Sequence, residues 1–166
     1  MSTLEEKRTA LQQLQAKMSA YAHATSLIYY DGATAAAEAM RMCVASTRKR
    51  KTVVASKGLL PHVIRTMRTY AKFAGINLVE TYDVAETVCE GTLDLAGVIV
   101  PSINRFGIIE NHDNLASAVH EAGALLAVYC DPSALAVVKS PAEWGADIAV
   151  GDGQSLGIPL CYGGPY

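Results

Sequence analysis

The amino-acid sequence predicts an α/β fold with a mainly parallel, doubly wound sheet, and three observations lead to that prediction. Short β-prone runs alternate with amphipathic segments of roughly 10–14 residues, the pattern of βαβ crossovers. The later runs, such as residues 124–130, are apolar throughout, as in strands that are covered on both faces. The 166 residues are 51% hydrophobic and only 18% charged, against about 25% charged in ordinary soluble domains. This excess of apolar over charged residues indicates a buried interface with another subunit or domain.

A helix is predicted over about residues 3–21. Thr3 and Glu6 form a capping-box pattern at its start. Its apolar stripe consists of Leu4, Leu11, Leu14 and Met18. A stripe that packs on its own domain or on a partner explains this spacing more simply than a coiled coil, which is the alternative.

An alanine-rich helix is predicted next, over residues 33–46, with small residues that favour close packing. The basic run Arg48-Lys49-Arg50-Lys51 follows it. Such a run can bind phosphate, but cations at a helix C-terminus are also stabilised by the helix dipole, and we favour the second interpretation.

Residues 1–166 are predicted to form one domain, whose α/β core extends over about residues 31–166. Its strands are predicted at residues 52–56, 76–82, 97–101, 124–130 and 147–151, the last three being central strands. A helix with Pro61 in its first turn is predicted to end at Gly75, and another is predicted over residues 113–122.

Composition excludes several classes of protein. A pI of 6.1 and a mean hydropathy of +0.19 indicate neither a nucleic-acid-binding surface nor disorder. The apolar runs are too short to span a membrane and residues 1–8 do not resemble a signal peptide, so we expect a cytoplasmic chain without nucleic-acid or membrane partners. Its four cysteines and four histidines lack metal-ligand spacing, so no metal site is predicted.

Ligands of open α/β sheets bind beyond the carboxyl ends of the strands, and two candidate sites lie there. Asp131 follows a buried strand, where it can either anchor a ligand cation or cap the next turn through Ser133. The turn formed by Asp31, Gly32, Ala33 and Thr34 opens a helix, where backbone N–H groups suit a phosphate, although helix capping explains the same residues.

Three runs of the sequence are distinctive. They are Tyr30-Asp31-Gly32-Ala33-Thr34-Ala35-Ala36-Ala37-Glu38-Ala39, Trp144-Gly145-Ala146-Asp147-Ile148 and the stretch from Gly151-Asp152-Gly153-Gln154 to Gly163-Gly164-Pro165-Tyr166. These runs closely resemble the glycine cleavage system P-protein family. The resemblance extends over most of the chain from about Leu4. Within the family, the chain is most similar to the first subunit of the two-subunit form, or to the N-terminal half of the one-chain form.

The resemblance implies a fold-type-I, aminotransferase-like large domain of a pyridoxal-phosphate (PLP) enzyme. In that family one half carries the PLP lysine within a His-Lys-Thr segment, and a degenerate half completes the active site. Gln154 stands where the lysine would be, so this chain resembles the degenerate half, with no catalytic residue of its own. Asp131 and Asp31 to Thr34 match cofactor-binding positions that can be vestigial, and Tyr29 and Tyr30 are candidates for a wall of the partner's active site.

The resemblance also implies the reaction and the partners. The lysine-bearing subunit 2, or C-terminal half, would hold PLP, decarboxylate glycine and pass the aminomethyl group to the lipoyl H-protein within a homo- or hetero-oligomer. The family has a longer N-terminal region, a further C-terminal domain and a longer segment near residues 84–95, so we interpret the chain as a large-domain fragment. Two alternatives are a stand-alone α/β domain that binds a small phosphorylated ligand, and an active PLP enzyme that uses Lys139.

Overall fold

A computed structural model describes residues 32–47, 49–91 and 94–157. In chain order the regular elements are α1 (Gly32–Ser46), β1 (Thr52–Ser56), α2 (Pro61–Ala74), β2 (Asn77–Thr81), α3 (Val84–Cys89), β3 (Leu95–Pro101), α4 (Leu115–Glu121), β4 (Leu125–Tyr129) and β5 (Ile148–Val150). Short 3-10 helices lie at Ala134–Ala136, Pro141–Trp144 and Gln154–Leu156.

The strands form one parallel sheet in the order β2-β1-β3-β4-β5. After β2 the chain passes back over β1 to form β3, so the order reverses between β1 and β3. In open α/β sheets such a reversal opens a crevice at the carboxyl ends of the two strands.

Helices cover both faces of the sheet. On one face, α1 and α2 pack over residues such as Val53, Ala55 and Ile99. On the other face, α3 and α4 pack over Val54 and Val98, together with Trp144. The prediction of an α/β, parallel, doubly wound sheet is therefore confirmed.

The α2 helix shows why local sequence signals gave accurate bounds. Pro61 lies in its first turn, where no intrahelical N–H bond is lost. Gly75 ends it in the left-handed region at φ 66°, which glycine adopts without steric cost. Its buried face consists of Val63, Ile64, Met67 and Ala71.

The structure corrects three details of the prediction. Helix α4 has 7 residues and lies within the predicted range of 113–122, because residues 102–114 before it are mostly irregular. Helix α3 has 6 residues, fewer than the 10–14 predicted in general for helices between the strands. Strand β5 lies at the edge of the sheet that the described residues form, and not in its centre, so its apolar sequence was no proof of a central position. Arg50, expected at the end of α1, instead donates hydrogen bonds from Nη1 to the carbonyl oxygens of Leu95 and Ala122 at 3.0 and 2.5 Å.

Several predictions lie outside the described residues. They are the helix over residues 3–21 and the side chains of Tyr29, Tyr30 and Asp31. Within residues 32–47, 49–91 and 94–157, no helix is sufficiently long and apolar to cross a membrane.

Candidate functional site

Asp131, which follows β4, accepts three hydrogen bonds on one carboxylate oxygen. Its Oδ1 accepts from the backbone N–H of Ser133 at 2.8 Å, from Ser133 Oγ at 2.8 Å and from Ser155 Oγ at 2.5 Å. Partial burial raises the pKa of Asp131, but the bonds from Ser155 and Ser133 outweigh burial and hold that pKa below its ordinary value. The carboxylate thus caps its own turn, as one of the two sequence interpretations expected, and also ties that turn to the segment after β5.

Gln154 begins the 3-10 helix that follows β5. Its backbone N–H donates to Asp152 Oδ1 at 3.3 Å, and its side-chain Oε1 is buried without a hydrogen-bond partner among the described residues. The preceding Gly151 touches the carbonyl of Cys130 so closely that any Cβ would overlap it. The structure therefore places Gln154 and Asp131 on two loops that adjoin at the carboxyl edge of the sheet.

Gly32 and Ala33 are buried in the first turn of α1, and Thr34 is half-buried. A Cβ atom on Gly32 would lie 2.5 Å from the hydroxyl oxygen of Tyr129, the last residue of β4. Tyr129 therefore brings the start of α1 against the strand that leads to Asp131. Of the predicted cofactor-binding residues, Gly32 to Thr34 and Asp131 thus share one edge of the sheet.

The described residues do not fit a covalently held PLP. Among them, Lys57 and Lys139 are the lysines that lie beyond the carboxyl end of a strand. Lys57 Nζ lies 5.5 Å from the centre of the Tyr82 ring, and Lys139 Nζ pairs with Asp113. Neither lysine lies after β5, where Gln154 does. The amide of Gln154 cannot act as an amine nucleophile.

Burial makes the thiols of Cys130, at this edge, and Cys43, on the buried face of α1, poor nucleophiles at neutral pH. Burial, with a smaller contribution from the charge of Asp131, raises the pKa of Cys130 to about 12. Burial, with a smaller contribution from the charge of Asp147, also raises the pKa of Cys43 to about 12. No group of His, Cys, Asp and Glu side chains that could hold a metal ion occurs in the part of the chain that the structure describes.

Sequence reasoning missed Tyr129 and Ser155 as contacts of this site. Tyr129 is predicted from the sequence to lie in an apolar strand, although a tyrosine hydroxyl usually requires a polar partner when it is buried. The residues around Ser155 do not predict its contact with Asp131, because the two residues are 24 positions apart in the sequence.

The fold is that of the fold-type-I PLP-dependent enzymes. A cystathione gamma lyase from Micromonospora echinospora aligns with a TM-score of 0.56 over 77% of this chain and 35% of its own, at 20% identity, which shows the shared fold. A crystal structure of glycine decarboxylase (P-protein) of the glycine cleavage system, in inhibitor-bound form, aligns with a TM-score of 0.72 at 35% identity, over 92% of this chain and 37% of that one.

The chain belongs to the glycine cleavage system P-protein family, whose sequence profile matches residues 10–166. The probable glycine dehydrogenase (decarboxylating) subunit 1 of Desulforamulus reducens is 45% identical over 146 residues, which cover 82% of this chain and 32% of that protein. The protein of the same name from Moorella thermoacetica is 41% identical over 144 residues, 83% of this chain and 32% of its own. The family predicted from the sequence is confirmed, and the chain spans about a third of the length of these relatives.

Proposed function

We propose that this chain is part of the degenerate half of a glycine dehydrogenase (aminomethyl-transferring), and that it completes the active site of a lysine-bearing partner. The relatives named subunit 1 support a partner subunit. The partner, a second subunit or a C-terminal half, would hold PLP, which supplies the electron sink for glycine decarboxylation. The aminomethyl group would pass to the lipoyl H-protein in the cytoplasm, and the isolated chain is expected to be inactive.

The observation that carries this proposal is the position of Gln154. It adjoins the turn of Asp131 at the carboxyl edge, where the family resemblance places the lysine. Asp131 there serves as a support for two loops, since Ser133 and Ser155 occupy its Oδ1. The binding of a small phosphorylated ligand by a stand-alone domain is disfavoured, because the relatives and the P-protein structure support the P-protein function instead.

An exposed apolar loop at the same edge supplies a surface for the partner. The backbone N–H of Ser102 donates to the carbonyl of Tyr129, which fixes this loop next to the Asp131 turn. Its exposed apolar side chains are Ile103, Phe106, Ile108 and Ile109. Such a concentration of apolar side chains is typical of a protein interface and agrees with the low charge content of the chain.

The catalytic assignment is tested by trapping. The full chain is co-expressed with the lysine-bearing subunit. Any imine between PLP and a lysine of the complex is reduced with borohydride, and the modified lysine is located by peptide mapping. We expect exchange of the glycine carboxyl carbon with CO2 only in the complex, and the adduct only in the partner. A stoichiometric adduct on Lys139 would overturn the proposal and support an active PLP enzyme.

The interface assignment is tested by charge substitution. Phe106 is 64% exposed in the loop, and Phe73, which is 84% exposed on α2, provides a matched control. We expect Phe106→Glu to lower co-purification of the partner at least tenfold, and Phe73→Glu to change it less than twofold. Equal effects of the two variants would contradict a specific interface at the loop.

A further inference from the structure

A cleft on the opposite face of the sheet from α1 is separate from the Asp131 and Gln154 site. It lies between α3 and α4, at the carboxyl ends of β1 and β3, where the strand order reverses. Ser56 and Val100 form its floor, and its volume is about 550 Å³. Sites for small molecules typically enclose about 300–1,000 Å³ and often lie at such reversals.

The charged side chains that line this cleft are acidic. Among the described residues around it are the carboxylates of Asp83, Glu110 and Asp113, and no lysine or arginine. Lys139 neutralises Asp113, and Asp83 Oδ1 caps α3 through the backbone N–H of Glu86. Glu110 is different, since Oε1 accepts from Asn104 Nδ2 at 2.9 Å, whereas Oε2 lies 3.9 Å from His112 Nε2 and accepts no hydrogen bond from the described residues.

His112 provides a second, independent sign of a ligand. Its side chain is only 7% exposed and lines the cleft. Nε2 lies 2.8 Å from the carbonyl oxygen of Pro101, so Nε2 carries the proton in the tautomer that makes this hydrogen bond. Trp144 packs edge-to-face against the ring with the centroids 5.2 Å apart. The remaining nitrogen, Nδ1, is an acceptor without a partner among the described residues.

We propose that this cleft binds a small organic ammonium ion, whose N–H groups donate to Glu110 Oε2 and His112 Nδ1. The rest of the wall is apolar, through Val84, Leu115 and Ala118, and suits a short alkyl chain attached to the ammonium group. A metal ion fits less well, because among the described residues no three His, Cys, Asp or Glu side chains are placed so that they could hold one ion together. An anionic ligand would be repelled by the carboxylate of Glu110, which no lysine or arginine of the cleft lining neutralises.

Cys89 gives a readout that does not depend on catalysis. This cysteine is exposed and lines the cleft, whereas Cys43 and Cys130 are buried. The full chain, in complex with its partner subunit, is treated with iodoacetamide at pH 7, and labelling of Cys89 is measured by peptide mapping. The additives are n-butylammonium chloride, n-butanol and sodium butyrate at equal ionic strength.

We expect n-butylammonium to slow labelling of Cys89 at least threefold and saturably, and n-butanol and butyrate to change it less than 1.5-fold. Saturation-transfer NMR on n-butylammonium measures binding directly, so a ligand that leaves Cys89 accessible is still detected. Glu110→Gln keeps the Oε1 acceptor for Asn104 and removes the charge, and should raise the concentration for half-saturation about tenfold. Glu86→Gln, on α3 but outside the cleft, is the control and should change it less than twofold.

Two results would overturn the proposal. One is the absence of saturable n-butylammonium binding by NMR in the wild-type complex. The other is equal half-saturation in the wild type and in Glu110→Gln, which would place any bound amine elsewhere. Thermal unfolding of each variant confirms that the comparison is made between folded proteins.

Discussion

Ser155 Oγ donates a 2.5 Å hydrogen bond to Asp131 Oδ1 and so joins the loop after β5 to the loop after β4. The two residues are 24 positions apart, and their contact is one of those that hold the segment of Gln154 beside the Asp131 turn. In this chain the carboxylate at the end of the buried strand therefore supports the neighbouring backbone.

We predict that Asp131→Asn lowers the free energy of unfolding by about 1 kcal/mol at pH 7, because the amide oxygen is a weaker acceptor and the carboxylate is partly exposed. The pKa of Asp131 is lowered in the folded chain, so its stabilisation is complete above the ordinary value of 3.8 and is lost as the pH falls through the lower folded value. Urea unfolding of both proteins from pH 7 to pH 3 should show the difference shrinking only below about pH 4. A difference that is constant with pH, or equal to that of the exposed control Glu90→Gln, would contradict this role.

We predict that Gly32→Ala destabilises the chain by about 1–2 kcal/mol through contact with Tyr129. The new Cβ would lie 2.5 Å from the Tyr129 hydroxyl oxygen but 3.1 Å from the nearest ring carbon, so the hydroxyl makes most of the clash. Removing it with Tyr129→Phe should recover part of the loss. A double-mutant cycle from chemical unfolding measures the coupling, and additive effects of the two substitutions would show that the helix start has moved away from β4.

We predict a larger loss, about 2–3 kcal/mol, for Gly97→Ala in β3. Its Cβ would lie 2.6 Å from both Cβ and Sγ of Cys43 on α1 and 3.2 Å from the carbonyl oxygen of Leu125. Cys43→Ala should give little rescue, because the Cβ of residue 43 remains in place. Full rescue in the double variant would mean that only the sulfur limits the approach of α1 to the sheet.

Local signals explain how much of this fold could be predicted from the sequence. Pro61 and Gly75 mark both ends of α2, and the β-prone run of β1 has the predicted bounds, 52–56, because each depends on neighbours within a few residues. The position of β5 in the sheet and the contact of Ser155 with Asp131 depend on pairings between distant segments. The cleft was missed for the same reason, since His112 obtains its environment from Pro101 and Trp144 on two other elements.

We predict that iodoacetamide at pH 7 modifies Cys89 and leaves Cys43 and Cys130 unmodified in the folded chain. Burial raises the pKa of both buried thiols to about 12, so less than about one part in 10⁴ is thiolate at pH 7. Peptide mapping after labelling, with and without urea, measures each site separately. Labelling of Cys130 at the rate of Cys89 without urea would indicate that the β4 and β5 loops open.

The final prediction is that Gln154→Lys does not create a PLP-binding lysine in the chain alone. Residue 154 is flanked by Gly153 and Ser155, whereas the family resemblance implies a histidine and a threonine beside the functional lysine. Ser155 also holds Oδ1 of Asp131, the acceptor that a pyridine nitrogen would require in a suitable orientation. Because functional groups must be held to within about 0.5 Å, a new amine without these neighbours should react no faster than an exposed lysine. Borohydride reduction with PLP, followed by peptide mapping, should give sparse labelling at residue 154, comparable with that of the exposed Lys72. A stoichiometric adduct at residue 154 would show that the rest of the cofactor site is intact in this chain, and that the loss of the lysine alone separates it from a PLP-binding half.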